Sequence, residues 1–197
     1  ENDNVFAYPF DGYGRDVGNI QAYWEANMDL LKQDGPLSLE RWQIRTNVEA
    51  GERRADRPAA RYGLSARVDN SLISAGCAVN GTVINSVLSP GVVVEEGALV
   101  KDSILFRDCV VETKAEVDLV ICDKFTRFGA NSSVGIGDHH DIANRLYPKH
   151  LYTGITLVGE KARIPEKMKV GRNCIIKCNA QEEDFITPLL QDGESLT

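Results

Sequence analysis

The chain predicts a mostly-β protein, a parallel β-helix wound from six-residue repeats and preceded by one strand and one helix. Two observations carry this. Between Ser86 and Asp118 a branched apolar residue returns at every sixth position: Val87, Val93, Leu99, Leu105, Val111 and Val117. Four places after each stands Gly91, Gly97, Ser103, Cys109 or Ala115, and finally the larger Ile121. A helix repeats at about 3.6 residues and a strand at about 2, so a period of six fits neither alone. It fits a short strand, a turn and a repeat. The apolar residue then fills a narrow core, and the small one sits where successive coils crowd.

Residues 4–10, rich in Val, Phe and Tyr, read as a strand, and 11–14 supply turn chemistry. Because Glu1 leads straight into this strand, the chain is expected to be part of a longer protein. Asn19 is a helix N-cap, and Ile20, Tyr23, Trp24, Met28 and Leu31 share one helical face. That face must pack on the flank of the β-helix or on a further domain. Gly35-Pro36 is expected to close the helix, and Trp42, Ile44 and Thr46 to alternate as a short strand. Residues 47–60 are charged and aperiodic, a loop or linker.

The repeat opens near Val68, with Ile73 and Val79 in phase and Cys77 and Val83 four places on. The step from Val79 to Val87 implies a two-residue insertion near Asn85-Ser86, and the count slips by one after Val117 before Phe128 and Val134 resume it. Residues 136–152 break the period, as a loop thrown out of a solenoid does. Val158, Ile164, Val170 and Ile176 restart it, and the acidic tail from Gln181 is expected to cap the stack.

The net charge of −7 argues against a nucleic-acid surface, which needs clustered Lys and Arg, while a few local basic residues still suit a small anion. No apolar run is long enough to span a bilayer, and no signal-peptide pattern opens the chain. Five cysteines lack paired spacing, and Cys77, Cys109 and Cys174 fall at small slots of the repeat, so they read as buried, reduced thiols. A cytoplasmic protein is the expectation.

Two blocks, residues 12–31 (GYGRDVGNIQAYWEANMDLL) and residues 70–105 continued by 153–165 (TGITLVGEKARIP), resemble the ADP-glucose pyrophosphorylases, or glucose-1-phosphate adenylyltransferases. The resemblance covers nearly the whole chain and implies a left-handed coil. It divides the chain into the end of a nucleotidyltransferase domain (1–18), a linker helix and loop (19–60) and the β-helix (61–197). It implies a parent enzyme in which glucose 1-phosphate attacks the α-phosphate of ATP, giving ADP-glucose and pyrophosphate for glycogen synthesis. Asp16, in the DVG segment, corresponds to one of two aspartates that hold the catalytic Mg²⁺, a hard cation suited to carboxylate oxygen. Lys124, in the CDK segment, falls where some members contact an anionic effector, and the family forms homotetramers.

Departures from the family pattern are Gly14 for its usual aromatic, Asn19 for its threonine, and Glu160-Lys161 where many members have lysine first. No glycine-rich nucleotide loop is present, so this stretch by itself is expected to be inactive.

Two other readings compete. A hexapeptide acyltransferase would use acetyl-CoA and take His139, His140 or His150 of the interrupting loop as general base. A zinc site at His139-His140 is disfavoured, because adjacent side chains point apart and no third ligand has helpful spacing. A non-catalytic pyrophosphorylase-like subunit would keep the scaffold and lose the reaction.

Overall fold

The computed structural model describes residues 6–32, 35, 37, 39 and 57–197. The chain winds into a three-sided parallel solenoid, each coil contributing one two- or three-residue strand to each of three sheets. The first sheet stacks Arg61–Tyr62, Ala78–Val79, Val93–Val94, Val110–Val111, Arg127–Phe128 and Arg163–Ile164. The second stacks Arg67–Asp69, Thr82–Ile84, Leu99–Lys101, Glu116–Asp118, Ser133–Val134, Lys169–Val170 and Leu189–Leu190. The third stacks Leu72–Ile73, Val87–Leu88, Ile104–Leu105, Val120–Cys122, Thr156–Val158, Ile175–Ile176 and Ser195–Leu196.

Strands this short survive because every one but those at the ends pairs on both sides, and because one residue of each fills the central prism. Val79, Val94, Val111, Phe128 and Ile164 form one inward column, in register coil upon coil. Val83, Val100, Val117, Val134 and Val170 form the second, and Leu88, Leu105, Cys122, Val158 and Ile176 the third. All are at most 3% exposed. Two residues before many of these stand buried smaller side chains, among them Cys77, Ala98, Ser103, Cys109, Ala115, Ala162 and Cys174.

The phase of the repeat differs from the simple six-residue count. Leu105, Val111 and Val117 do point inward, but Val87, Val93 and Leu99 face outward and their neighbours Leu88, Val94 and Val100 fill the core. In the first coils the corner between second and third sheets is one residue short, so Val83 to Leu88, Val100 to Leu105 and Val117 to Cys122 are steps of five, whereas Val170 to Ile176 and Leu190 to Leu196 keep six. Inward residues of successive coils are therefore about 17 apart, as in Val94, Val111 and Phe128. There is no two-residue insertion: Val79 meets Val94 because Val79 to Val83 is a step of four across Asn80-Gly81, and Val83 to Leu88 at Asn85 is the short corner of five. The slip after Val117 is real and is this same short corner.

Gly91 and Gly97 are corner residues with positive φ, outside the core, and Ile121 faces outward beside the buried Val120. Gly91 and Gly76 also leave room for Arg57, whose guanidinium crosses them to grip Asp108 through two hydrogen bonds of 2.7 and 2.8 Å. At the short corner the left-handed positions are Asn70, Asn85, Asp102 and Leu119, the residue types that tolerate positive φ except for Leu119. Asn70 donates to Asn85, and Asn85 to Asp102, a side-chain ladder along the edge.

Four further differences concern the ends. The solenoid starts at Arg61, one strand before Val68. The tail adds a coil, because Leu189–Leu190 and Ser195–Leu196 extend two sheets while a 3₁₀ turn, Glu182–Asp184, lies where the first sheet would continue. Residues 6–10 form no strand: Phe6, Tyr8 and Phe10 are 70–87% exposed and none pairs with a neighbouring strand among the described residues. The helix α1, Ile20–Asp29, stops short of Gly35 because its last turn tightens into i to i+3 bonds from Leu30, Leu31 and Lys32. The strand expected around Ile44 lies outside the described residues.

Asn19 caps α1 as expected, its side chain accepting the Ala22 N–H at 2.8 Å. The apolar face of α1 packs on the flank of the solenoid. Met28 and Leu31 are buried with Ile104, flanked by Tyr23, Trp24, Leu72, Val87, Phe106 and Ile121. The indole N–H of Trp24 donates to the Asp102 carbonyl at 2.8 Å, tying the helix to the corner between second and third sheets.

Candidate functional site

The segment leading into α1 is held by its own polar residues. Asp16 is exposed, and its Oδ1 accepts the Gly18 N–H at 3.0 Å, an Asx turn that leaves Oδ2 open. That open carboxylate oxygen fits one ligand position of a hard cation. Among the described residues no group of three His, Cys, Asp or Glu side chains gathers to complete a metal site.

Beside Asp16 the neighbouring side chains reach back to the helix. Asp29, whose side chain is 9% exposed, accepts three donors: Tyr13 Oη at 2.9 Å, Arg15 Nη1 at 2.5 Å and Lys32 Nζ at 2.7 Å. Its pKa falls to about 2, chiefly through the Lys32 ammonium, with Tyr13 and Arg15 adding to the effect against the cost of burial. The second guanidinium nitrogen of Arg15 donates to Glu25. Nothing in the residue pattern announces this cluster, because Tyr13 and Arg15 lie outside the helix, whose one face and closing turn carry Glu25, Asp29 and Lys32.

Lys124 stands at a corner between the third and first sheets. The corner residues Pro90, Arg107, Lys124 and Glu160 stack coil on coil through backbone bonds: Asp108 N–H to Pro90, Phe125 N–H to Arg107 and Lys161 N–H to Lys124. Arg107 lies over the Phe125 ring at 5.3 Å, and the Lys124 N–H is turned onto the Asp123 carboxylate at 2.8 Å. In the adjacent coils Arg107 and Glu160 hold the same corner position as the half-buried Lys124. Tyr23 of α1 faces this edge. Its phenol is pushed up by burial and further by the charge of Asp123, against the hydrogen bond from Asn27. No hydrogen bond or ion pair joins Asp16 to Lys124 among the described residues.

Between α1 and the solenoid a cavity of about 290 Å³ is lined by Tyr23, Asn27, Leu30, Leu72, Val87 and Phe106. A polar groove of about 530 Å³ runs over the first sheet, where Glu112, Glu166 and Glu182 face Arg127 and Arg163. Arg127 is engaged by Glu112, and the mixed charge favours no one ion.

The interrupting loop is built as structure. His139, His140 and His150 are all exposed. Leu151 is fully buried, and Asn144 and Asn173 staple the loop, Asn173 Nδ2 donating to the His140 and Ile142 carbonyls. Arg172, 7% exposed, donates to the Gly137 carbonyl and to both the carbonyl and carboxylate of Asp118 at 2.8–3.0 Å. Cys77, Cys109, Cys122 and Cys174 are buried free thiols and Cys178 is exposed. Burial pushes the Cys174 thiol up to about 12, far from a nucleophile's range. No helix among the described residues is long and apolar enough to cross a membrane.

Residues 58–158 match the family model described as GlmU-like, C-terminal hexapeptide. Along its whole length the chain is 39% identical to a glucose-1-phosphate adenylyltransferase of Acetivibrio thermocellus, covering 45% of that protein. It is 45% identical to one from Thermomicrobium roseum over 98% of the chain and 44% of the relative. It is 36% identical to one from Thermotoga neapolitana over 97% of the chain and 44% of the relative. The chain spans a little under half the length of the curated relatives it matches.

Proposed function

Because the chain belongs to the GlmU-like C-terminal hexapeptide family, and glucose-1-phosphate adenylyltransferases align with it from end to end, we propose that it is the regulatory and assembly part of such an enzyme. The parent reaction joins ATP and glucose 1-phosphate into ADP-glucose and pyrophosphate, for glycogen synthesis in the cytoplasm. The observation that carries this reading is the end-to-end match.

In the proposal the two parts of the chain have different duties. Asp16 supplies one carboxylate to the catalytic Mg²⁺, and its free Oδ2 is suited to that, with the remaining ligands and the ATP site lying in the part of the relatives this chain does not cover. The ion would spread the charge that develops on the transferring phosphoryl group. Lys124, stacked beside Arg107, offers positive charge to an anionic effector at the solenoid corner. The solenoid's outer faces serve assembly into a homotetramer.

The direct test assays ADP-glucose formation by the full-length protein and by this chain alone. Turnover by the full-length protein, silence of the chain, and loss of at least about a hundredfold in Asp16→Asn are expected. Full activity of Asp16→Asn would overturn the assignment of that residue. A full-length protein that transfers acyl groups from acetyl-CoA and makes no ADP-glucose would overturn the reading as a whole.

A further inference from the structure

The aspartate proposed to hold Mg²⁺ sits on a segment with little structure of its own. Between Gly12 and Asn19 the one local hydrogen bond among the described residues is the Asx turn from Gly18 to Asp16. Something else must set where Asp16 stands. The residues on its N-terminal side, Tyr13 and Arg15, both end on one carboxylate, Asp29. Asp29 in turn closes the last turn of α1 beside Met28, which is buried against Ile104 of the solenoid, and Trp24 one turn earlier is bonded to Asp102. A continuous set of contacts therefore runs from the solenoid through α1 and Asp29 to the residue adjoining Asp16.

We infer that Asp29 is a positioning residue, which anchors the Tyr13–Asp16 segment to α1 and so sets Asp16 in register with the solenoid. The inference rests on the reading of Asp16 as a metal ligand for its consequence in catalysis, while the anchoring itself rests on contacts within this chain. Removing this buried carboxylate leaves the Tyr13 hydroxyl, the Arg15 guanidinium and the Lys32 ammonium without their shared acceptor. Glu25 takes the outer nitrogen of Arg15 from a more exposed position, so it is the weaker hold.

Trypsin reads the anchor directly, because it must draw the whole guanidinium of Arg15 into its specificity pocket. In this chain, Asp29→Asn is expected to raise the rate of cleavage after Arg15 by about tenfold, with the main melting temperature moved by no more than about 3 °C. Tyr13→Phe, which removes one donor and no charge, is expected to raise it less and serves if Asp29→Asn fails to fold. Unchanged cleavage in the folded variant would overturn the anchor.

In the full-length protein Asp29→Asn is expected to lower kcat about tenfold with KM for ATP unchanged, and Asp29→Glu to restore part of it. Faster cleavage with unchanged kcat would overturn the positioning of Asp16 alone. A wild-type protein that makes no ADP-glucose would overturn the adenylyltransferase reading, and the trypsin rates would still decide the anchor.

Discussion

The solenoid and the N-terminal arm are held by opposite strategies. Each inner coil of the solenoid repeats the same three inward contacts and is paired above and below, so no single residue defines its position. The arm, residues 12–32, rests on a few unlike contacts: Trp24 to Asp102, Met28 and Leu31 on Ile104, and the Asp29 cluster. A lattice of that kind resists shear, whereas a seam of single contacts can be released without unfolding what lies beneath. That difference suits a scaffold on one side and, on the other, the segment that carries Asp16, the proposed metal ligand.

The sharpest way to break the comparison is to damage the lattice. Phe128, the largest fully buried side chain, sits between Val111 and Ile164 in the first inward column. Phe128→Ala is expected to cost about 3–5 kcal/mol in denaturant unfolding, and the arm should be lost in the same transition. Arg172→Ala removes one hydrogen bond to the loop at Gly137 and two to Asp118, leaving that carboxylate, among the described residues, only the Lys101 ammonium at 3.8 Å. A loss of about 2 kcal/mol is expected, with hydrogen exchange accelerated first in residues 136–152.

Damage to the seam should look different. Trp24→Phe leaves the Asp102 carbonyl without its indole donor, and about 1 kcal/mol of docking should disappear. Exchange of the α1 amides should then quicken while the solenoid's melting temperature holds. Acid probes the same seam more gently. Asp29 has a folded pKa of about 2 against an ordinary value of 3.8, so it binds protons more weakly folded than unfolded. Its contribution is complete above about pH 4 and is lost as the pH falls through about 2. Arm exchange relative to the intrinsic amide rate should rise over that window in the wild type and rise less in Asp29→Asn.

How far the sequence could be read follows from the same contrast. A repeated contact leaves a period, and the solenoid was visible in that period, as were the interrupting loop and the restart at Val158. The phase was not. Val87 faces outward, yet α1 covers it, and Val93 and Leu99 face outward only half exposed. With apolar side chains on both faces of these strands, inward and outward residues look alike, and a false series at six can be drawn through true steps of five and six.

Asn19 and the apolar stripe of α1 were readable because capping and helical spacing are local rules. Residues 6–10 misled because their composition is that of a strand, while pairing needs a partner that composition does not supply. Asp16 and Lys124 stood out through family resemblance alone. Asp29, Arg172 and Asn173 carried no signal, since a charged or amide residue in a run of ordinary ones gains its role only when the fold brings its partners close.

In the proposed function this chain carries a share of an effector site on its solenoid corner. The direct measurement is the melting temperature of the chain with fructose 1,6-bisphosphate, phosphoglycerate, pyruvate, AMP and acetyl-CoA in turn. A ligand at about a hundredfold excess over Kd stabilises by about 2.7 kcal/mol, a shift of several degrees. The account predicts such a shift with an anionic metabolite and its loss in Lys124→Ala. A shift with acetyl-CoA alone, or one that survives Lys124→Ala undiminished, would contradict it.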